Sequence, residues 1–387
     1  MKIEKRKLRI QDIFSRKYRR FVKNQAEGAP LSPSRLAWQR FKRNRLAVAS
    51  LVVIGLFFMV AVLGYLITPD HTPDCNQQYL ELATQKPFSR ATFVCLRNDD
   101  IEPAKPNMFR RMLFGEPLSY MAMPVYNYKS IGDSIIVETY TGSVPNDGER
   151  KAYHKDEVVK IEKRTFILGT DAYGRNLLSQ IMIGSRVSLS VGFIAIAIAL
   201  LIGITLGALA AYYGRWVDSL IMWLINVVWS IPTVLLVIAI TFALGKGFWQ
   251  VFVAVGLTMW VDIARVVRGQ VFSIKEKEYV EATRALGYST FRTIFRHILP
   301  NITGSIIVVA TSNFASAILL EAGLSFLGIG VQPPTPSWGA MVKENYGYIL
   351  LDNAYLALLP GAAIMLIVLA FMLLGNGIRD ALDIKNG

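Results

Sequence analysis

Long apolar runs without a single charge are the feature that most constrains the fold of this chain. Residues 46–66 form the first run, and residues 187–212 and 220–244 are equally free of Asp, Glu, Lys and Arg. A helix of about 20 apolar residues spans the hydrocarbon core of a bilayer, where only helices and closed barrels satisfy their backbone. The sequence therefore predicts a polytopic helical membrane protein, which agrees with its mean hydropathy of +0.37.

We predict six transmembrane helices and no cleaved secretory signal, because the first run begins only at Leu46. Pro232 is expected to kink the third helix. Gly203, Gly207 and Ala211 recur every four residues, which predicts close packing of the second helix against a neighbour. The expected bounds are residues 46–67, 187–212, 218–244, 248–270, 302–328 and 354–376.

The charge distribution predicts the orientation. The basic N-terminal segment, residues 1–45, holds fifteen Lys and Arg against three acidic residues, which is most of the net charge of +14. The positive-inside rule and attraction to anionic lipid account for this excess without nucleic acid. Residues 69–183 hold fourteen basic and fifteen acidic residues and are expected outside. Six spans then return the C-terminus to the cytoplasm.

A polar segment that we call the insert, residues 68–164, separates the first two predicted spans. Alternation within residues 134–139 and 157–162 predicts short strands of a small extracytoplasmic β-containing unit. Cys75 and Cys95 both lie in it, and a disulfide between them would close a loop of about 21 residues worth roughly 3 kcal/mol. Two buried unpaired thiols are the alternative.

A second polar segment, residues 273–301, lies between the fourth and fifth predicted spans, and we call it the polar island. Ser273 and Glu276 have the spacing of a capping box, and Gly287 suits a left-handed helix end. A second amphipathic helix is predicted to start at Ser289 and to stop at Pro300. The island is therefore expected to be two helices joined by a glycine.

The second predicted helix of the island has one apolar face. Phe291, Ile294, Phe295 and Ile298 recur with helical spacing, whereas Arg292 and Arg296 point the other way. This pattern fits a buried helical hairpin or a helix that docks into the groove of a partner. The pattern alone leaves both interpretations open.

The island carries the first of three family resemblances. Glu281-Ala282-Thr283, followed by Gly287 and by Leu299-Pro300, resembles the EAA loop of ATP-binding-cassette (ABC) importer permeases. It departs from the usual pattern at Thr283, where Ala is common, and at His297, where Ile is common. Residues 168–176 and 321–339 are similar to the corresponding segments of dipeptide and oligopeptide permeases of the C type. The resemblance covers the first 67 residues and about residues 165–383.

This resemblance implies a fold, a function and partners. It implies a MetI-like permease core over residues 165–383 in a bacterial inner membrane. This core would form half of a translocation path, with peptides as the favoured solute. A second homologous permease subunit, two cytoplasmic ABC ATPases and an extracytoplasmic substrate-binding protein would complete the importer. Nickel complexes or sugars are alternative solutes.

The resemblance also assigns roles within the island. Glu281 would be a charged contact to the ATPase, Gly287 a hinge, and Pro300 the break into the fifth span. Phe291, Ile294 and Phe295 would form the face that enters an ATPase groove. Ala282, Thr283 and Leu299 complete the loop.

The chain lacks the sequence patterns of a catalytic site. No Gly-x-x-x-x-Gly-Lys-Ser/Thr occurs, so ATP and Mg²⁺ are expected only in partner subunits, with no cofactor or metal bound directly. Asp262 and Arg265 are predicted to form an intramembrane ion pair, with an ion-pathway role as the alternative. A secondary transporter and a membrane-anchored receptor or scaffold are the other classes compatible with the sequence.

Overall fold

A computed structural model describes residues 33–98, 107–142, 147–245 and 247–382. Most of the N-terminal segment lies outside these residues. The helices are α1 Pro33–Arg43, α2 Arg45–Leu63, α3 Met108–Phe114, α4 Leu177–Tyr213, α5 Arg215–Trp229, α6 Thr233–Leu244, α7 Phe248–Ile274, α8 Glu278–Ala285, α9 Thr290–Thr293, α10 Leu299–Phe326, α11 Trp338–Asn345 and α12 Tyr355–Leu382. The strands are β1 Ser89–Arg97, β2 Tyr120–Ile131, β3 Ser134–Thr139, β4 Arg150–His154 and β5 Val158–Phe166.

The predicted membrane spans are present as helices. Five helical segments are long and apolar enough to cross a bilayer, and the bent pair α5 and α6 together makes a sixth. The five are Arg45–Leu66, Leu177–Tyr213, Phe248–Ile274, Thr290–Phe326 and Tyr355–Leu382. The prediction of a helical polytopic protein with a small β-containing insert is confirmed.

The third span is not the single kinked helix expected over residues 218–244. α5 ends at Trp229, α6 begins at Thr233, and the two helices meet at 91°. Pro232 has no N–H to continue the first helix, while its carbonyl accepts the Leu236 N–H at 3.1 Å and starts the second. The break exposes backbone polar groups, which is tolerated where they line a cavity or face protein.

Small residues bring α4 and α7 together, as their spacing predicts. A Cβ built on Gly203 would lie 2.7 Å from the Ile263 side chain, and one on Gly207 would lie 2.5 Å from the Ala264 carbonyl oxygen. These two helices form the centre of the largest buried apolar cluster. The rest of the bundle packs around this pair.

The insert folds as one five-stranded antiparallel sheet with strand order β4-β3-β2-β1-β5. The turn Gly132-Asp133 joins β2 to β3, with Ile131 paired to Ser134. Phe93 is fully buried and packs edge-on against Tyr79, with ring centroids 4.8 Å apart. The strand expected at residues 134–139 is present as β3, and the one expected at residues 157–162 is present from Val158 onward as the first part of β5.

The disulfide expected between Cys75 and Cys95 is absent. Both cysteines are buried free thiols that belong to different apolar clusters. The Cys75 thiol donates to the Asp70 carbonyl at 3.1 Å, whereas Cys95 lies in the middle of β1. The insert is therefore held by apolar packing and ladder hydrogen bonds, and the alternative of two buried thiols is the correct one.

A buried ion pair lies at the start of α4. Arg175 Nε donates to Asp171 Oδ2 at 2.6 Å, and Arg175 Nη2 donates to Glu344 of α11 at 2.6 Å. Asp171 also accepts the backbone N–H groups of Tyr173 and Arg175 at 2.9 Å. These bonds hold the segment before α4 against α11, since breaking a satisfied buried pair is costly.

Candidate functional site

The polar island consists of two short helices held at one end of the spans. Lys277 precedes α8, and Ser289 caps α9 by accepting the Arg292 N–H. The second helix therefore starts where the sequence predicts. The prediction of a capping box at Ser273 is wrong, because α7 continues to Ile274 and Ser273 lies in its last turn.

Gly287 has the left-handed conformation that the sequence predicts. Its φ is +74°, its N–H donates to the Arg284 carbonyl at 2.9 Å, and the Tyr288 N–H donates to the Thr283 carbonyl at 3.0 Å. This pair of bonds is a Schellman motif. A Cβ on Gly287 would meet nothing within 4 Å, so the requirement for glycine is conformational and not steric.

The base of the island is buried in the bundle. Val280, Ile294 and Ile298 are at most 4% exposed and belong to the cluster formed by α4 and α7. Thr283 and Thr293 are also buried, with their hydroxyl oxygens 3.4 Å apart. Thr283, which departs from the usual Ala, thus places a hydroxyl between α8 and α9.

The outer face of the island is apolar and exposed. The exposed fractions are 70% for Leu286, 69% for Phe291, 51% for Phe295 and 42% for Tyr279. The rings of Phe291 and Phe295 lie 4.3 Å apart. We call these four side chains the aromatic patch. Partial burial raises the pKa of the Tyr279 phenol.

The prediction of a single apolar face on the second helix of the island is therefore wrong. It divides into Phe291 and Phe295, which are exposed, and Ile294 and Ile298, which are buried. Ile294 supports the island from below and is not available to a partner. Glu281 and Ala282 are exposed on α8, in positions accessible to a partner.

Pro300 does not break the chain direction, contrary to expectation. The segment Thr290–Phe326 is one helical span, and residues 294–298 form a π turn in which the Leu299 N–H donates to the Ile294 carbonyl. A proline ring clashes with the carbonyl four residues before it in a regular helix. Widening the helix just before Pro300 relieves that clash, so the island continues directly into α10, with Leu299 half-buried at the junction.

Cationic side chains of the island contact α4, and a cationic side chain of α7 contacts α5. Lys275 Nζ donates to the Ala211 carbonyl at 2.8 Å, and the Arg284 guanidinium lies 5.0 Å from the centre of the Tyr212 ring. Arg268 donates to both carboxylate oxygens of Asp218, at 2.5 and 2.6 Å. The sequence contained no signal for these contacts, because each joins residues about 50 or more positions apart.

The ion pair expected between Asp262 and Arg265 does not form. Arg265 Nη2 donates instead to Asn226 Oδ1 at 3.3 Å, and its guanidinium lies 3.6 Å from the centre of the Trp229 ring. Asp262 is exposed on α7. The spacing placed the two on one helix face, but α5 supplies the partner that Arg265 contacts.

The arrangement suits binding and transmission of movement. An exposed aromatic patch on a buried base has the form of helices that dock into a groove. Across the described ranges, no three His, Cys, Asp or Glu side chains converge as metal ligands.

Comparison with known proteins gives two family matches. Residues 199–385 match the family of binding-protein-dependent transport system inner membrane components. Residues 32–87 match the N-terminal TM domain of oligopeptide transport permease C. The strands of the insert lie between these two matched stretches.

Curated relatives and solved structures are also similar to this chain. The dipeptide transport system permease protein DppC of Alkalihalophilus pseudofirmus is 44% identical over 217 residues, covering 56% of this chain and 71% of that protein. The glutathione transport system permease protein GsiD of Pectobacterium atrosepticum is 42% identical over 218 residues, covering 56% and 72%. Inward-facing structures of the MetNI methionine ABC transporter match at 18% and 20% identity with TM-scores of 0.44 and 0.45, each covering 54% of this chain and 98% of theirs.

Proposed function

This chain belongs to the binding-protein-dependent transport inner membrane components, in the dipeptide and oligopeptide permease branch, and we propose that it forms half of the translocation path of an ABC importer for peptides. It is a transmembrane permease subunit. The relatives named for dipeptide and glutathione transport support a peptide as the solute.

The aromatic patch is the observation that carries this proposal. Leu286, Phe291 and Phe295 are each more than half exposed, although the same island buries Ile294 and Ile298 completely or nearly so. Exposed aromatic side chains at the centre of a docking face are the usual anchors of an interface. We infer that the patch enters a groove on a cytoplasmic ATPase, with Glu281 as a charged contact at its edge and Ala282 beside it.

The buried base would let the island transmit movement to the spans. Val280, Ile294 and Ile298 share one core with α4 and α7, and the π turn joins the island to α10 without a break. Force on the patch therefore reaches three spans through packed side chains. ATP binding would draw two ATPase subunits together, and the displacement of the island would switch which side of the membrane the path opens to.

The remaining partners follow from the family. ATP and Mg²⁺ would be bound and hydrolysed in two separate subunits, a second homologous permease would complete the path, and an extracytoplasmic binding protein would deliver peptides. The excess of Lys and Arg over acidic residues at positions 1–45 supports an inner-membrane orientation with both termini in the cytoplasm. The insert would then lie outside.

Replacing both phenylalanines of the patch tests the docking role. The double variant Phe291→Asp/Phe295→Asp should reduce the amount of ATPase that co-purifies with the permease about tenfold or more, because loss of interface anchors costs about 2 kcal/mol or more each. The measurement is the ATPase-to-permease ratio after affinity purification in detergent.

A matched double variant in the insert serves as the control. Tyr128 and Ile131 are 45% and 51% exposed on β2, so Tyr128→Asp/Ile131→Asp places the same charges at exposed positions elsewhere. The control should retain the ATPase. Equal retention by both variants would contradict docking at the patch.

A further inference from the structure

The break between α5 and α6 opens a cavity beside α7 and α10. The cavity has a volume of about 390 Å³, and its lining includes Trp229, Thr233, Thr258, Asp262 and Ser316. α5 and α6 diverge by 91° at this point, so neither helix fills the space. Inside a membrane, a discontinuous helix is tolerated where its irregular backbone lines a cavity.

Asp262 brings a carboxylate to the wall of this cavity, near the middle of α7. At about 1.5 Å per residue, it lies about 21 Å from the start of α7 at Phe248 and about 18 Å from its end at Ile274. An ionisable side chain at such depth is costly unless it faces a water-filled path or a partner. Asp262 lines this cavity, so its carboxylate faces open space that a polar group can enter.

No described side chain neutralises this carboxylate through an ion pair or hydrogen bond. The nearest cation along α7, Arg265, donates to Asn226 and stacks over Trp229 at 3.6 Å. The next one, Arg268, makes a two-bond pair with Asp218. Both cations of this helix segment are thus bonded to α5, so Asp262 has no salt-bridge partner among the described residues.

From these observations we infer that Asp262 is a solute-binding residue of the translocation path and accepts a protonated amino group of the passing peptide. The inference rests on the proposed function. A peptide carries such a group at its N-terminus, and a lysine side chain presents the same chemistry. A carboxylate with free acceptor positions binds an ammonium through charge-assisted hydrogen bonds.

Uptake by the complete importer in proteoliposomes tests this assignment. The probes are trialanine and Ala-Lys-Ala, and the variants are Asp262→Asn and Asp262→Glu. Asp262→Asn should lower uptake about tenfold, the size of one lost charge-assisted hydrogen bond. Asp262→Glu should restore most of it. A fall for both peptides identifies the terminal ammonium, and a fall for Ala-Lys-Ala alone identifies the side chain.

Two controls separate a binding role from a structural one. Asp133→Asn makes the same change at an exposed turn of the insert and should leave uptake unaltered. Stimulation of ATP hydrolysis by the binding protein should persist in Asp262→Asn, because the island is untouched. Wild-type uptake by Asp262→Asn, or equal failure of Asn and Glu variants, overturns this inference alone. Failure of the wild-type complex to take up either peptide overturns it together with the proposed function.

Discussion

The polar island and the sheet of the insert are both attached to the same helical bundle, but their buried side chains pack against different parts of the molecule. The island leaves Phe291 and Phe295 more than half exposed, whereas the sheet buries Phe93 completely. The insert has its own apolar clusters, while the buried residues of the island belong to the core of the bundle. The sheet therefore has apolar clusters of its own, whereas the island depends on the core of the bundle beneath it.

The largest expected difference between the two regions comes from replacing one glycine of each region with proline. Gly287→Pro should abolish coupled uptake, because proline cannot reach φ +74° and has no N–H for the Arg284 carbonyl. Gly287→Ala should keep most of the uptake, since one left-handed alanine costs roughly 1–2 kcal/mol. Solute uptake and ATP hydrolysis by the reconstituted importer measure both.

The matched variant is Gly132→Pro in the turn between β2 and β3, where Gly132 has a φ of +58° and open space around it. It should disturb the sheet and leave ATP hydrolysis coupled to uptake. If the Gly287→Pro importer still coupled ATP hydrolysis to uptake, the proposed role of the Gly287 turn in transmission would be contradicted.

Core truncations should produce an intermediate effect that again differs between the regions. Phe93→Ala should destabilise the insert by about 3–5 kcal/mol, and Ile298→Ala should loosen the island by about 2–5 kcal/mol, because both side chains are fully buried. Phe93→Ala should make the insert sensitive to protease without releasing the ATPase. Ile298→Ala should weaken coupling while the insert stays resistant. Release of the ATPase by Phe93→Ala would show that the two regions are not independent.

The smallest effect is expected from reduction. Because Cys75 and Cys95 are free, a reducing agent should leave the thermal stability of the protein unchanged. Burial raises the pKa of both thiols, so little thiolate is present near pH 7 and alkylation of the folded protein should be slow. In denaturant without reductant, maleimide should add to both cysteines, as mass spectrometry would detect. A mass without label would indicate that the insert depends on a disulfide.

Local signals in the sequence predicted the spans, although α4 begins at Leu177, ten residues before its expected start. Uncharged runs located the spans, Pro232 marked the interrupted one, and Ser289 and Gly287 marked the start and end of the island helices. Each signal acts within a few residues, through backbone hydrogen bonds or the allowed φ of one residue. A single sequence therefore contains it.

Helical periodicity was less reliable for the faces of the island. It grouped Phe291 with Ile294, and only contact with the bundle separated them into an exposed and a buried side chain. It likewise placed Asp262 and Arg265 on one face, but Asn226 and Trp229 of another helix determine where Arg265 lies. Periodicity describes which residues share a direction, and it contains nothing about what lies in that direction.

The sequence by itself determined a membrane protein with spans, a basic N-terminal segment and a polar island, because water, lipid and backbone geometry act on each segment separately. The tertiary structure alone decided the two free thiols, the aromatic patch and the carboxylate of Asp262 that lines the cavity without a salt bridge. Each of these depends on side chains far apart in the chain meeting or failing to meet. Such encounters are set by the packing of the whole bundle, which no local pattern specifies.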